Sequence, residues 1–154
     1  MTSADVESLF LDTNVLVYAN VAQAPLHQLA LQTIQAYDAS GRQLWISRQI
    51  IREYLATVTR PQTFATAMPM GLAVARARYF QQRFHVAEET ATADVTIRLL
   101  ALLEQVPTAG AQVHDANIVA TMQVYGIRHL LTHNTADFAR YTHLITLVPF
   151  VPIP

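Results

Sequence analysis

Asp12-Thr13-Asn14 interrupts an apolar run: Leu9-Phe10-Leu11 precede it and Val15-Leu16-Val17 follow. A strand ending there delivers one carboxylate to the edge of a sheet, beside a hydroxyl and a carboxamide. Carboxylates are hard oxygen ligands, and an Asp fixed at a strand end suits Mg²⁺ or Mn²⁺. One Asp is not a site, so the other acids decide what this one does. Glu53 falls in a helical stretch and, at 100° per residue, lies about 60° from Ile50, on the margin of the apolar stripe. Asp115 lies on the apolar side of its helix, because Ile118, Val119, Met122 and Gly126 follow at i+3, i+4, i+7 and i+11. A carboxylate that faces the core must be capped, paired or metal-bound. An Asp in a first turn can also satisfy free backbone N–H groups and the helix dipole, so both readings of Asp115 stand. Asn134 comes two residues after Thr132, just past another strand, and Asp137 could cap the short helix around Phe138.

Several acids brought to one point repel each other unless cations neutralise them. That arrangement is what metal-assisted phosphodiester hydrolysis requires, since metals hold the scissile phosphate, acidify the attacking water and stabilise the leaving oxygen. Helix N-termini nearby add positive potential.

The elements that must position these residues follow from the apolar pattern. Strands are expected over Val6–Leu11, Leu44–Ile46, Phe84–Ala87, His129–Thr132 and Leu144–Val148. Helices are expected from Val15, from Pro25 to Tyr37, after Ser47 as cap, over Leu72–Arg83, Thr92–Gln105 and His114–Tyr125, and briefly over Ala136–Tyr141. Ser40-Gly41, Arg60-Pro61 and Gly126 read as helix stops. Short apolar strands alternating with helices indicate a parallel sheet covered on both faces. In such sheets chemistry collects at the carboxyl ends of the strands, where strand order reverses. No repeat, low-complexity tract or linker divides residues 1–154, so a single domain is expected.

Composition bounds the function classes. The 52% hydrophobic content fits a packed globule and argues against disorder. No apolar run reaches the roughly 20 residues of a membrane-spanning helix. Met1–Ser8 carries two acids and no basic region, so it does not read as a signal peptide; a cytoplasmic location is the expectation. Without cysteine there is neither a disulfide framework nor a thiolate metal site. The net charge is −1, so a polyanion would have to meet a local patch. Arg42, Arg48, Arg52 and Arg60 form one sequence cluster and Arg76, Arg78 and Arg83 another, and solvated helix faces account for most of them.

Four segments in order resemble the PIN domain family, in particular the VapC-type toxins of bacterial toxin–antitoxin pairs. They are Leu11-Asp12-Thr13-Asn14-Val15-Leu16, Ile51-Arg52-Glu53-Tyr54, His114-Asp115-Ala116-Asn117-Ile118-Val119-Ala120, and Leu130-Leu131-Thr132-His133-Asn134-Thr135-Ala136-Asp137-Phe138. The resemblance implies a PIN-like three-layer α/β/α sandwich whose parallel sheet has four to five strands in the order 3-2-1-4-5. It implies a Mg²⁺- or Mn²⁺-dependent ribonuclease that cuts single-stranded RNA, dimerises with itself and is neutralised by a VapB-like antitoxin. Asp12, Glu53 and Asp115 are then the acidic metal-binding triad, Asp12 and Asp115 as direct ligands and Glu53 through water or by placing the nucleophilic water. Thr13, Asn14 and Thr132 hydrogen-bond the acids or the substrate. Where the family often has a fourth acid this chain has Asn134, and Asp137 could stand in for it. The segment from Arg60 to Glu89 matches no motif and is expected to serve the dimer or antitoxin groove.

Other chemistries have less support. None of the six histidines shows His-x-x-x-His spacing on a helix, and His114 and His133 read as ordinary polar positions. Tyr54, Tyr125 and Phe138 could stack on bases, although core packing explains them. Ser47 has no His and acid to activate it. A PIN nuclease of RNA processing without an antitoxin, or a degenerate binding module, are the alternatives to a toxin.

Overall fold

The structure is a computed structural model that describes residues 7–89 and 94–150. Five parallel strands, β1 (Leu9–Leu11), β2 (Leu44–Ser47), β3 (His85–Ala87), β4 (His129–Leu131) and β5 (Thr146–Val148), form one sheet in the order β3-β2-β1-β4-β5. This is the 3-2-1-4-5 order expected from sequence. β1 is central and its three residues Leu-Phe-Leu are all buried, which a strand covered on both faces requires.

Helices α1 (Thr13–Asn20), α2 (His27–Ala39), α3 (Arg48–Val58) and α4 (Met70–Arg83) pack in succession, α1 on α2 and α3, and α3 on α4. Helices α5 (Asp94–Gln105) and α6 (Gln112–Val124) pack on each other, and a 3-10 helix, Thr135–Tyr141, contacts α6. The chain moves outward from β1 through β2 to β3, then returns through α5 and α6 to β4. Right-handed crossovers therefore put the two helix groups on opposite faces. The strand order reverses between β1 and β4.

Local chemistry explains the boundaries. The Ser47 hydroxyl caps α3 by accepting the Ile50 N–H at 3.4 Å. Gly126, at φ 68°, ends α6, and the Ile127 N–H then returns to the Met122 carbonyl at 2.9 Å. Several expected bounds shift. β1 starts at Leu9 rather than Val6, because its neighbours begin only at Leu44 and His129; Val6 itself lies outside the described residues. α1 starts at Thr13 and α6 at Gln112, each two residues earlier than expected, and α2 starts after Pro25, at His27. Residues 144 and 145 turn back onto the Tyr141 carbonyl, at 2.8 and 3.1 Å, so β5 is shorter than expected. The expected start of α5 at Thr92 falls outside the described residues.

One hydrophobic core runs through the sheet and both helix groups, including Phe10, Ile46, Ile50, Tyr54, Val119, Met122 and Leu130. Among the described residues no helix is long and apolar enough to cross a membrane. Leu130 is fully buried on a strand between β1 and β5. Leu130→Ala is expected to cost about 2–5 kcal/mol in urea unfolding, against about 0.5 or less for exposed Leu100→Ala. Equal midpoints for the two variants would contradict this core.

Candidate active site

Asp12 follows the last residue of β1 and caps α1, its carboxylate accepting the Thr13 backbone N–H at 2.8 Å. Its own N–H continues the sheet ladder, donating to the Leu131 carbonyl at 3.1 Å. The turn from strand to helix therefore places the side chain beside the end of β4. There the Thr132 hydroxyl donates to Oδ2 at 2.7 Å and the Asn14 amide to the same oxygen at 3.1 Å. Asn14 in turn accepts the His133 backbone N–H at 3.0 Å, which ties α1 to the chain leaving β4.

Glu53 reaches the same place from α3. Its Oε2 accepts the Thr13 hydroxyl at 2.6 Å and its Oε1 accepts the Gln49 amide at 2.9 Å. Gln49 is 5% exposed. Its amide nitrogen also donates to the His114 carbonyl at 2.8 Å, and its oxygen accepts the Asn117 amide at 2.8 Å. Asn117 donates as well to Glu89, at 3.0 Å. This buried amide joins α3 to the first turn of α6, where Asp115 sits half-buried. Among the described residues no donor reaches the Asp115 carboxylate, and the N-cap of α6, Ala111, makes no side-chain bond. Asp115 is therefore not a cap; it faces the other acids.

Asp12, Glu53, Asp115 and Asn134 line one cavity of about 770 Å³ at the carboxyl edge of the sheet. Desolvation, with the Glu53 charge adding to it, pushes the Asp12 carboxyl from 3.8 up to about 6, despite the opposing hydrogen bonds from Thr132, Thr13 and Asn14. Asp115 is also raised to about 6, by desolvation first, then by the charges of Asp12, Asp137 and Glu53, with His114 opposing. Asp137 is exposed and outside the cavity wall, and no side-chain bond caps the 3-10 helix, so the capping role considered for it is not met. It acts on the site through its charge.

Such a cluster asks for positive charge. Among the described residues no three His, Asp or Glu side chains could by themselves cage an ion. The donor set fits instead a hard cation held by one or two carboxylates and completed by water, the usual manner of Mg²⁺. Asp12 and Asp115 are the desolvated oxygens able to hold it, with Glu53 fixed beside them.

Sequence reasoning missed Gln49, whose i−4 spacing from Glu53 was the available signal. It also missed Tyr18, Arg60, Gln62 and Phe64, which line the cavity. His114 is a wall residue rather than a peripheral one. The loop after α3 is folded back by the Gln62 amide, which donates to the Thr57 and Arg60 carbonyls at 2.6 and 3.2 Å. Three of the other arginines considered form ion pairs: Arg42 with Glu7, Arg48 with Glu88 and Arg83 with Asp38. Tyr54 and Phe138 are core residues as expected.

Residues 9–144 match the PIN domain family, and the chain belongs to it. Among curated relatives it is similar to ribonuclease VapC48 of Mycobacterium tuberculosis, 25% identical over 139 residues that cover 90% of this chain and 95% of the relative. Among solved structures its fold is similar to VapBC2 from Rickettsia felis bound to a promoter DNA fragment, with a TM-score of 0.67 and 20% identity over 93% of this chain and 98% of that one. A toxin–antitoxin complex from Klebsiella pneumoniae gives a TM-score of 0.63 at 23% identity, over 96% of this chain and 100% of the other.

The raised carboxyls carry a stability consequence. The folded state keeps protons that the unfolded chain releases, so their stabilising contribution is complete below 3.8 and is lost as pH rises to about 6. Among the described residues Asp115 has no hydrogen bond to lose. In EDTA near pH 7.5, Asp115→Asn is expected to raise Tm by about 3 °C, or roughly 1 kcal/mol once solvent screening of this half-exposed group is allowed for. Near pH 4 the gain should vanish. Parallel Tm–pH curves for parent and variant would refute the crowding of charge at this position.

Proposed function

We propose that this chain is a divalent-metal-dependent endoribonuclease, the toxin of a VapBC-like toxin–antitoxin pair. The observation that carries this reading is the convergence of Asp12, Glu53 and Asp115 on one cavity at the reversal point of a PIN-domain sheet. The similarity to ribonuclease VapC48 along 90% of the chain supports it. A degenerate binding module would have no use for carboxylates kept crowded and desolvated.

In this reading Asp12 and Asp115 hold Mg²⁺ or Mn²⁺. A cation held there would supply positive charge to the scissile phosphate and would acidify the attacking water. The chain does the rest by position. Thr132, Asn14 and the Thr13 N–H fix the Asp12 carboxylate in one orientation. Glu53, locked by Thr13 and Gln49, orients the nucleophilic water and takes its proton. Arg60 offers a guanidinium from the cavity wall to a phosphate oxygen. Asn134, where a fourth acid is often found, contributes a hydrogen bond without charge; Asp137 adds field from outside. An antitoxin segment carrying Arg or Lys could neutralise the cavity. The likeness in fold to toxin–antitoxin complexes accords with such a partner.

Purified chain is expected to cut RNA hairpins bearing single-stranded loops in Mg²⁺ or Mn²⁺ and to stop in EDTA. Asp12→Ala and Asp115→Ala should each lose at least about 100-fold in kcat with the far-UV spectrum retained, beyond the usual effect of removing a ligand's supporting partner. Parent-like cleavage by both would overturn the assignment. Gln49→Ala should lower kcat by about 10–100-fold with little change in KM, as expected for a residue that acts through Glu53. A pure KM effect would mean that Gln49 meets substrate instead. Induction of the chain in cells should arrest growth unless Asp12 is replaced, and a small co-encoded protein should relieve it. RNA cleavage without arrest would favour an RNA-processing nuclease.

A further inference from the structure

A track of aromatic rings leads out of the acid cavity, and the cleavage chemistry above does not use it. Tyr18 on α1 and Phe64 from the loop after α3 both line the cavity, with centroids 6.2 Å apart and planes at 65°. Tyr18 also meets His133 edge-on at 5.6 Å and Phe150 at 6.3 Å. His133 and Phe150 are stacked, at 5.9 Å and 24°. His133 is exposed, and the other three rings are half-buried.

Core packing does not account for this imidazole. An exposed ring contributes little to folding, yet this one is held in place. Its backbone N–H bonds Asn14, and Asn14 bonds Asp12. The backbone of His133 is thus tied through Asn14 to the carboxylate at the centre of the site, and its ring is held by Tyr18 and Phe150. The rings come from α1, the α3–α4 loop, the exit of β4 and the chain after β5, so the fold assembles a continuous surface from segments far apart in sequence.

We propose that this surface, with His133 as its exposed face, is a stacking subsite for an unpaired nucleobase of an RNA whose phosphate enters the acid cavity. The inference rests on the ribonuclease reading above. A chain of net charge −1 draws little affinity from bulk attraction to a polyanion, and affinity must be found elsewhere. Stacking supplies it without charge, because every base has a π-face. A base inside a helix has both faces covered, so the subsite admits unpaired nucleotides and refuses duplex. Rings without directed donors discriminate weakly among the four bases, so the selection is for exposed bases rather than for one sequence.

The test uses the full-length chain in Mg²⁺, with an RNA hairpin as substrate and kcat and KM read separately. His133→Ala keeps the backbone N–H that binds Asn14, so the acids stay in place. It is expected to raise KM roughly tenfold with kcat within about twofold, and His133→Phe to restore most of the loss. On the same hairpin with abasic loop nucleotides, the parent should bind as weakly as His133→Ala, and the substitution should have no further effect. A parent-like KM for His133→Ala would overturn the subsite. So would a His133→Phe variant as weak as His133→Ala, since hydrogen bonding rather than stacking would then be at work. A parent that cuts no RNA with either cation would bring down the ribonuclease reading and the subsite with it. A parent that cuts RNA while His133→Ala matches it removes the subsite alone.

Discussion

The rest of the site depends on how one buried carboxylate is held between two adjacent strands. Parallel register pairs Leu11 with Leu131, so the residues that follow, Asp12 and Thr132, arrive level with each other. The Thr132 hydroxyl then reaches Asp12 at 2.7 Å without any loop having to be built for the purpose. Asn14, one step into α1, closes the arrangement by bonding both the Asp12 carboxylate and the N–H of His133. A slip of one residue between β1 and β4 would turn Thr132 to the other face. Leu9–Leu11 and Leu130–Leu131 are fully buried and packed in the observed register, and that packing opposes the slip. Core packing and the geometry of the acid cavity are here a single constraint.

Those donors do not fully repay the burial. A carboxylate accepting several hydrogen bonds is normally more acidic than usual, yet Asp12 is pushed up to about 6. Desolvation and the charge of Glu53 outweigh three donors, and Asp115, with no donor among the described residues, is raised as far. A protein selected only for stability would replace one of the acids. Retaining them leaves a standing excess of negative charge that a cation relieves, and stability given up at one point is the usual mark of a working site. Gln49 plays a matching part: a buried amide bonded to Glu53, the His114 carbonyl and Asn117 fixes two helices where two acids repel.

The legible part of this molecule was the part written locally. Asp12 announces itself because an apolar strand stops at it, and Asp115 because it sits on the wrong face of an amphipathic helix. The alternation of strands and helices, together with the family motifs, made the 3-2-1-4-5 order expected, and the sheet has it. Gln49 left only its i−4 spacing from Glu53 as a local trace, because two of its partners are 65 and 68 residues away and a glutamine on a helix looks like any solvated polar residue. Phe64 and Phe150 come from irregular segments, where no periodicity says which way a ring points. The ambiguity at Asp137 was physical too: an Asp near a short helix caps or acts through space, and only its exposure and the cap-free start of the 3-10 helix separate the two.

Centre and rim therefore divide the work. Carboxylates at the switch point can act on any phosphodiester, because the backbone they address is the same in every RNA. Discrimination has to come from groups that meet what lies beside the phosphate. Arg60, Gln62 and Phe64 arrive from the loop between α3 and α4, and His133 and Phe150 from the ends of β4 and β5. None of them carries the sheet, so each can change without disturbing Asp12. His133 alone is tied to both parts, by its backbone to Asn14 and by its ring to the aromatic track. A base seated on that ring would be linked through Asn14, which accepts the His133 N–H and donates to the Asp12 carboxylate, to the acid cavity, which couples recognition of an unpaired nucleotide to the position of its phosphate.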